Sequence, residues 1–154
     1  MTGLGRRPLL GLGLLAAAGA GPARAGNITE GGLTQAGRSA RLTLAVEGEQ
    51  RWSLRAQADP PRLVLNLPDA NWRAGARLRG AGPVRAARFV AAEDALVLDL
   101  AGPAIGRVAP VQPGRIVLTI QPATPADFAA AVRAGRDLAA GTARGQGPLP
   151  LVVL

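Results

Sequence analysis

The chain predicts an all-β protein: two packed antiparallel sheets from an internal duplication, followed by one short helix and a linker. Three observations carry that expectation. Residues 60–67, Pro-Pro-Arg-Leu-Val-Leu-Asn-Leu, return 53 positions later as Pro-Gly-Arg-Ile-Val-Leu-Thr-Ile at 113–120. Residues 41–48, Arg-Leu-Thr-Leu-Ala-Val-Glu-Gly, return 54 positions later as Ala-Leu-Val-Leu-Asp-Leu-Ala-Gly at 95–102. Two windows recurring in the same order at nearly one offset point to a duplicated strand–turn–strand unit; a non-duplicated sheet of similar Leu/Val strings is the plainer alternative. Within these windows apolar and polar residues alternate with period two, and Gly and Pro stand at their ends.

Residues 1–25 are read as an export signal and set apart from the fold. Arg6-Arg7 gives a charged start, an apolar and small-residue run extends from Leu9 to Ala20, and Ala23-Arg24-Ala25 offers a small-x-small cleavage site before Gly26. The run falls short of the roughly 20 continuous apolar residues that span a bilayer. Arg6-Arg7-Pro8-Leu9-Leu10 matches a twin-arginine signal in part, and an ordinary secretory signal is the other reading. Either places the protein in the periplasm, with membrane contact only during export.

Strands follow from Ile28 onward. Leu42, Leu44 and Val46 oppose Arg41, Thr43 and Glu47; Trp52, Leu54 and Ala56 oppose Arg51, Ser53, Arg55 and Gln57. Leu63, Leu65 and Leu67 share a face opposite Arg62, Val64 and Asn66. In the second half Leu96, Leu98 and Leu100 oppose Val97 and Asp99, and Ile116, Leu118 and Ile120 oppose Arg115, Val117 and Thr119. Weaker strands fall at 28–33, 84–90 and 105–111. Gly48-Glu49-Gln50 reads as a short hairpin turn. Each half then supplies three or four antiparallel strands with one apolar face, and the two halves bury those faces against each other. Residues 71–82, rich in Arg and Gly and containing Trp72, read as a basic surface crossover.

After residue 121 a helix is expected over 122–141. Thr124 caps it, Pro125 takes the first helical position and Asp127 completes a capping box. Phe128, Val132, Gly135 and Ala139 form its thin apolar stripe, and Gly141 ends it. Residues 142–154 read as a linker and the start of a further domain. Their terminal Leu-Val-Val-Leu is either that domain's first strand or a last strand of the sandwich.

Composition narrows function. With no Cys and no His, the chain has no Ser-His or Cys-His nucleophile pair and no thiolate or imidazole metal site. No cofactor or metal is expected, and no catalytic residue. All 18 basic residues are Arg against 10 acids. Removing Arg6, Arg7 and Arg24 with the signal leaves 15 against 10, a net of +5, which favours an anionic partner.

The export signal, the repeated Pro-x-Arg-Leu/Ile-Val-Leu-x-Leu/Ile strands, the capped helix and the terminal Pro-Leu-Val-Val-Leu together resemble the N-terminal region of periplasmic N-acetylmuramoyl-L-alanine amidases. Residues 27–121 look like their AMIN domain. The resemblance implies an AMIN-like β-sandwich of two symmetric sheets, peptidoglycan binding, and recruitment of the amidase to the division site for wall hydrolysis and daughter-cell separation. In such amidases a strand like 149–154 leads into an Asp-Pro-Gly-His-Gly-Gly motif whose His begins the zinc site. Here the sequence ends at Leu154, so the resemblance implies the non-catalytic targeting half of a zinc-dependent parent.

Peptidoglycan presents peptide carboxylates, which the planar guanidinium fork suits, and sugar faces, which aromatic rings suit. The binding candidates are Arg41, Arg51, Arg55 and Arg62 on the outward faces of the first half, Arg115 as the counterpart of Arg62, and Trp72 in the crossover. Taken singly, each Arg also fits an ordinary solvated strand position. Trp52, alternating with Leu54, reads as core. The rival reading is a protein–protein module of a secretin- or pilus-type envelope assembly, or of the division machinery, docking by strand addition. Nucleic acid is not an expected partner, because the chain is exported and aromatic content is only 3%.

Overall fold

The computed structural model describes residues 26–109, 112–134 and 138–145. The expected signal, including Arg6, Arg7 and Ala25, lies outside these residues, as does the terminal Leu-Val-Val-Leu. Among the described residues eleven strands form two sheets, joined by one α-helix and a 3₁₀ turn at Ala91–Glu93. In chain order the strands are β1 (Asn27–Ala36), β2 (Ser39–Glu47), β3 (Glu49–Gln57), β4 (Arg62–Asn66), β5 (Asn71–Trp72) and β6 (Arg77–Ala81). There follow β7 (Val84–Val90), β8 (Ala95–Leu100), β9 (Ala104–Val108), β10 (Arg115–Pro122), helix α1 (Pro125–Ala134) and β11 (Ala139–Arg144). One sheet runs β9-β10-β2-β1-β5 and the other β11-β3-β4-β8-β7-β6. All pairings are antiparallel except the two-residue parallel contact of β1 with β5.

The duplication is visible in the register. In the five-stranded sheet Leu42 stands opposite Leu118 and Leu44 opposite Ile116. Moving each residue to its repeat gives Leu96 opposite Leu65 and Leu98 opposite Leu63, which are the pairs observed in the six-stranded sheet. The equivalence reaches the irregularities: β1 slips against β2 between Ile28 and Glu30, and β7 slips against β8 between Val84 and Ala86. Thus β1, β2, β3 and β4 correspond to β7, β8, β9 and β10.

The expectation that each half builds its own sheet is corrected. Both sheets take strands from both halves. The cause lies at Gly48, which is a corner rather than part of a hairpin turn: β2 ends at Glu47, β3 begins at Glu49, and the two lie in different sheets. One residue at φ +84° is too short for the two-residue hairpin loop and instead bends the chain into the other layer, the way strands switch sheets in orthogonal packings. Leu42, Leu44, Val46, Gln50, Trp52, Leu54 and Ala56 are all buried, so the inward parity continues through the bend. The repeat behaves alike: β8 in one sheet passes through Gly102 to β9 in the other.

The core is built from these inward positions, even-numbered except on β4, with Leu42, Leu44, Leu54, Leu63, Leu65, Leu96, Leu98 and Leu118 fully inaccessible. Gln50, the one buried polar side chain among them, is satisfied. It accepts from Gly26 N (3.1 Å) and donates to Arg51 O (2.8 Å) and Pro68 O (3.0 Å). Gly26, expected to follow the cleavage site, is thereby seated inside the fold.

Two further expectations change. Residues 71–82 are no bare crossover but supply β5 and β6, one edge strand to each sheet. The tail helix is shorter than expected: α1 stops at Ala134, and residues 139–144 form β11 against β3 instead of a helix end and linker. Thr124 Oγ1 does cap, accepting from Asp127 N at 3.0 Å. Gly135 of the expected stripe lies outside the described residues.

Candidate arginine-rich face

Period-two alternation sorts the candidate side chains between two outer surfaces. Arg41, opposite Thr119, and Arg115, opposite Ala45, lie on the outside of the five-stranded sheet. Arg51, Arg55 and Arg62 lie on the outside of the six-stranded sheet. The first-half arginines therefore do not form one group. Because β2 turns at Gly48, Arg41 is carried to the far side of the molecule from Arg51, Arg55 and Arg62. The duplication does the same to Arg62 and Arg115, since repeat-related strands occupy opposite sheets.

What the six-stranded sheet brings together instead is larger. One cross-strand row reads Arg55, Val64, Val97, Arg88, Arg77, and the next Gln57, Arg62, Asp99, Ala86, Arg79. With Arg51 and Arg144 toward the β11 edge, the outward positions that have a cross-strand partner hold seven arginines against two acids, Asp99 and Glu49. Both acids are engaged: Arg88 Nη1 meets Asp99 Oδ2 at 3.1 Å, and Arg144 Nε meets Glu49 Oε2 at 2.9 Å. Arg51, Arg55, Arg62, Arg77 and Arg79 have no carboxylate partner among the described residues. The outward positions of the other sheet carry Arg41, Arg107 and Arg115 against Glu30 and Glu47, so the surplus of charge is one-sided.

Sequence reasoning missed Arg77, Arg79 and Arg88 as members of this face. The signal was present in Arg77-Leu78-Arg79, where Leu78 is buried between two exposed arginines, the alternation of a strand inside what looked like a loop. Arg77 stands directly opposite Arg88; like charges in that position repel, and the ion pair with Asp99 offsets part of it. Val64 and Val97 point outward yet are each only 2% exposed. They are flanked in their row by Arg55 and Arg88, whose aliphatic stems suit an apolar floor while their guanidinium ends reach water. The Arg62 Nε is buried without a hydrogen-bond partner.

Trp72 is not a free platform. Its ring stacks on Phe89 with centroids 4.8 Å apart and planes within 2°, and its indole N–H donates to Gly75 O. Since β5 and β7 belong to different sheets, the pair closes the side of the sandwich, and one indole face is covered. Trp52 is buried, as its alternation requires.

Among the described residues no three His, Cys, Asp or Glu side chains gather as metal ligands, and no helix is long and apolar enough to cross a membrane. No protein-family model matches the chain, and no curated protein matches it at a significant level.

Proposed function

We propose that this chain is an exported, non-catalytic module that holds a cell-wall hydrolase on peptidoglycan, the targeting region of an N-acetylmuramoyl-L-alanine amidase. The observation that carries this reading is the outer face of the six-stranded sheet: arginines on β3, β4, β6 and β7, of which Arg55, Arg62, Arg77 and Arg79 lie in two consecutive cross-strand rows and, like Arg51 nearer the β11 edge, have no carboxylate partner among the described residues. A flat surface of spaced guanidinium groups suits a polymer that repeats peptide carboxylates along its length, because each contact is a forked, charge-assisted hydrogen bond. No deep pocket is required of such a face. The interleaved duplication supports the reading as well, since the AMIN resemblance implies two symmetric sheets. In this scheme the Arg-rich sheet engages the wall.

The test is co-sedimentation of the purified protein with isolated sacculi. Arg51→Ser with Arg55→Ser is expected to weaken binding about tenfold, taking about 0.7 kcal/mol for each exposed guanidinium–carboxylate contact. The loss shrinks as salt rises, because exposed charges are screened. Pelleting equal to that of the unsubstituted protein at moderate salt contradicts the proposal.

A further inference from the structure

Where the two copies differ, the fold leaves a lane open. In the first copy β3 is flanked by β11, and Leu54, opposite Ala139, is fully buried. Its repeat counterpart on β9 is Val108, because Leu54 pairs with Leu65 as Val108 pairs with Leu118. Val108 is 47% exposed, the one large apolar side chain so exposed among the described residues. No strand lies beside β9 on the side away from β10 among the described residues.

A cleft of about 600 Å³ opens there, between the end of β9, the start of β10 and the outer edge of β11, within the roughly 300–1,000 Å³ typical of small-ligand sites. Trp52, Val108, Ile116 and Ala143 give it an apolar part of its lining. Gly141 lies across the Trp52 indole, where a Cβ would stand 3.0 Å from the ring. One wall is main chain. Leu138 N donates to Leu54 O before β11, and at the strand's far end Gly145 N donates to Gly48 O, while Arg144 turns its carbonyl the other way to accept from Gly114 N. By the same alternation Ala140 and Thr142 direct their N–H and C=O groups into the cleft. At the rim, Arg144 is held by Glu49, whereas Arg115 is exposed and has no carboxylate partner among the described residues.

We propose that this cleft binds a short extended peptide that ends in a free carboxylate. Its main chain pairs with the β11 edge at Ala140 and Thr142. Small apolar side chains lie over Trp52 and Val108, and the terminal carboxylate takes the Arg115 guanidinium. Alternating main-chain donors and acceptors over an apolar floor match a peptide strand better than a sugar, and a single free cation at one end fits one terminal charge. The site adjoins the arginine-rich face at Arg144 but uses none of that face's unpartnered arginines.

The test is an NMR titration of the isotope-labelled protein with N-acetyl-Ala-Val-Ala as the free acid and as the C-terminal amide. The acid is expected to move the amide signals of Ala140, Gly141 and Thr142 and the Trp52 indole N–H in a saturable way, with the amide form at least tenfold weaker. Arg115→Gln, an exposed position, should bring the acid down to the level of the amide. Arg77→Ser with Arg79→Ser, on the β6 edge of the arginine-rich face and away from the cleft, should leave the titration unchanged. Equal binding of acid and amide, an acid response unaffected by Arg115→Gln, or no saturable shift at β11 would each overturn the proposal. Loss of sacculus binding alone would not.

Discussion

Alanine at Leu44 and alanine at Leu98 should each lower stability by about 3 kcal/mol, within the range of buried leucine truncations, and by nearly equal amounts. Leu44 sits in the five-stranded sheet opposite Ile116, and Leu98 in the six-stranded sheet opposite Leu63. All four are 2% exposed or less, and each pair is the repeat of the other. Equal environments built from repeat-related neighbours should leave equal cavities. The one broken correspondence supplies a control. Leu54→Ala should cost as much as the two core changes, whereas Val108→Ala, its repeat counterpart, should shift the urea midpoint little because Val108 is exposed. A Leu98→Ala cost less than half that of Leu44→Ala would mean that the repeat governs register without governing packing.

The second large effect is expected at Phe128, where Phe128→Ala should cost about 3–4 kcal/mol and remove the helical signal from the circular dichroism spectrum. Helix α1 packs against β3 and β9, strands of different sheets, and Phe128 is its one buried residue. A ten-residue helix is marginal by itself in water, so its persistence depends on that anchor. Thr124→Ala, which removes only the cap, should cost about 1 kcal/mol. If Phe128→Ala proves no more harmful than Thr124→Ala, the helix is an appendage rather than a clamp across the open side of the sandwich.

Strands β2, β3, β4, β8 and β10 were legible in the sequence because each writes its inward face in alternate apolar residues, and the duplication because it preserves that alternation at a nearly fixed offset. The dealing of strands between sheets was encoded too, in a subtler form. Even positions remain apolar or buried from Leu42 through Ala56, with only Gly48 interrupting, and again from Leu96 through Ala104 across Gly102. A true two-residue hairpin carries its own turn residues between paired strands; an unbroken parity with one glycine marks a bent strand. Reading Gly48-Glu49-Gln50 as a turn concealed this and assembled Arg41 with Arg51, Arg55 and Arg62 on a face that does not exist. The tail misled for another reason. Phe128, Val132 and Ala139 satisfy a helical spacing, but β11 gains its stability from pairing with β3, a tertiary choice that its Ala-Ala-Gly-Thr-Ala-Arg sequence does not announce. Trp72 was placed by its arginine-rich neighbours, whereas its partner Phe89 lies 17 positions away.

Sorting arginines by sheet makes the functional claim sharp, because two surfaces of one molecule can be stripped of equal charge. The most direct measurement compares sacculus sedimentation of the Arg51→Ser, Arg55→Ser protein with that of an Arg41→Ser, Arg107→Ser protein, matched in net charge and altered on opposite faces. A tenfold loss for the first pair with near-unchanged binding for the second is the expected result. Equal losses from both faces would show that bulk charge alone holds the protein to the wall, and would contradict a binding surface on the six-stranded sheet.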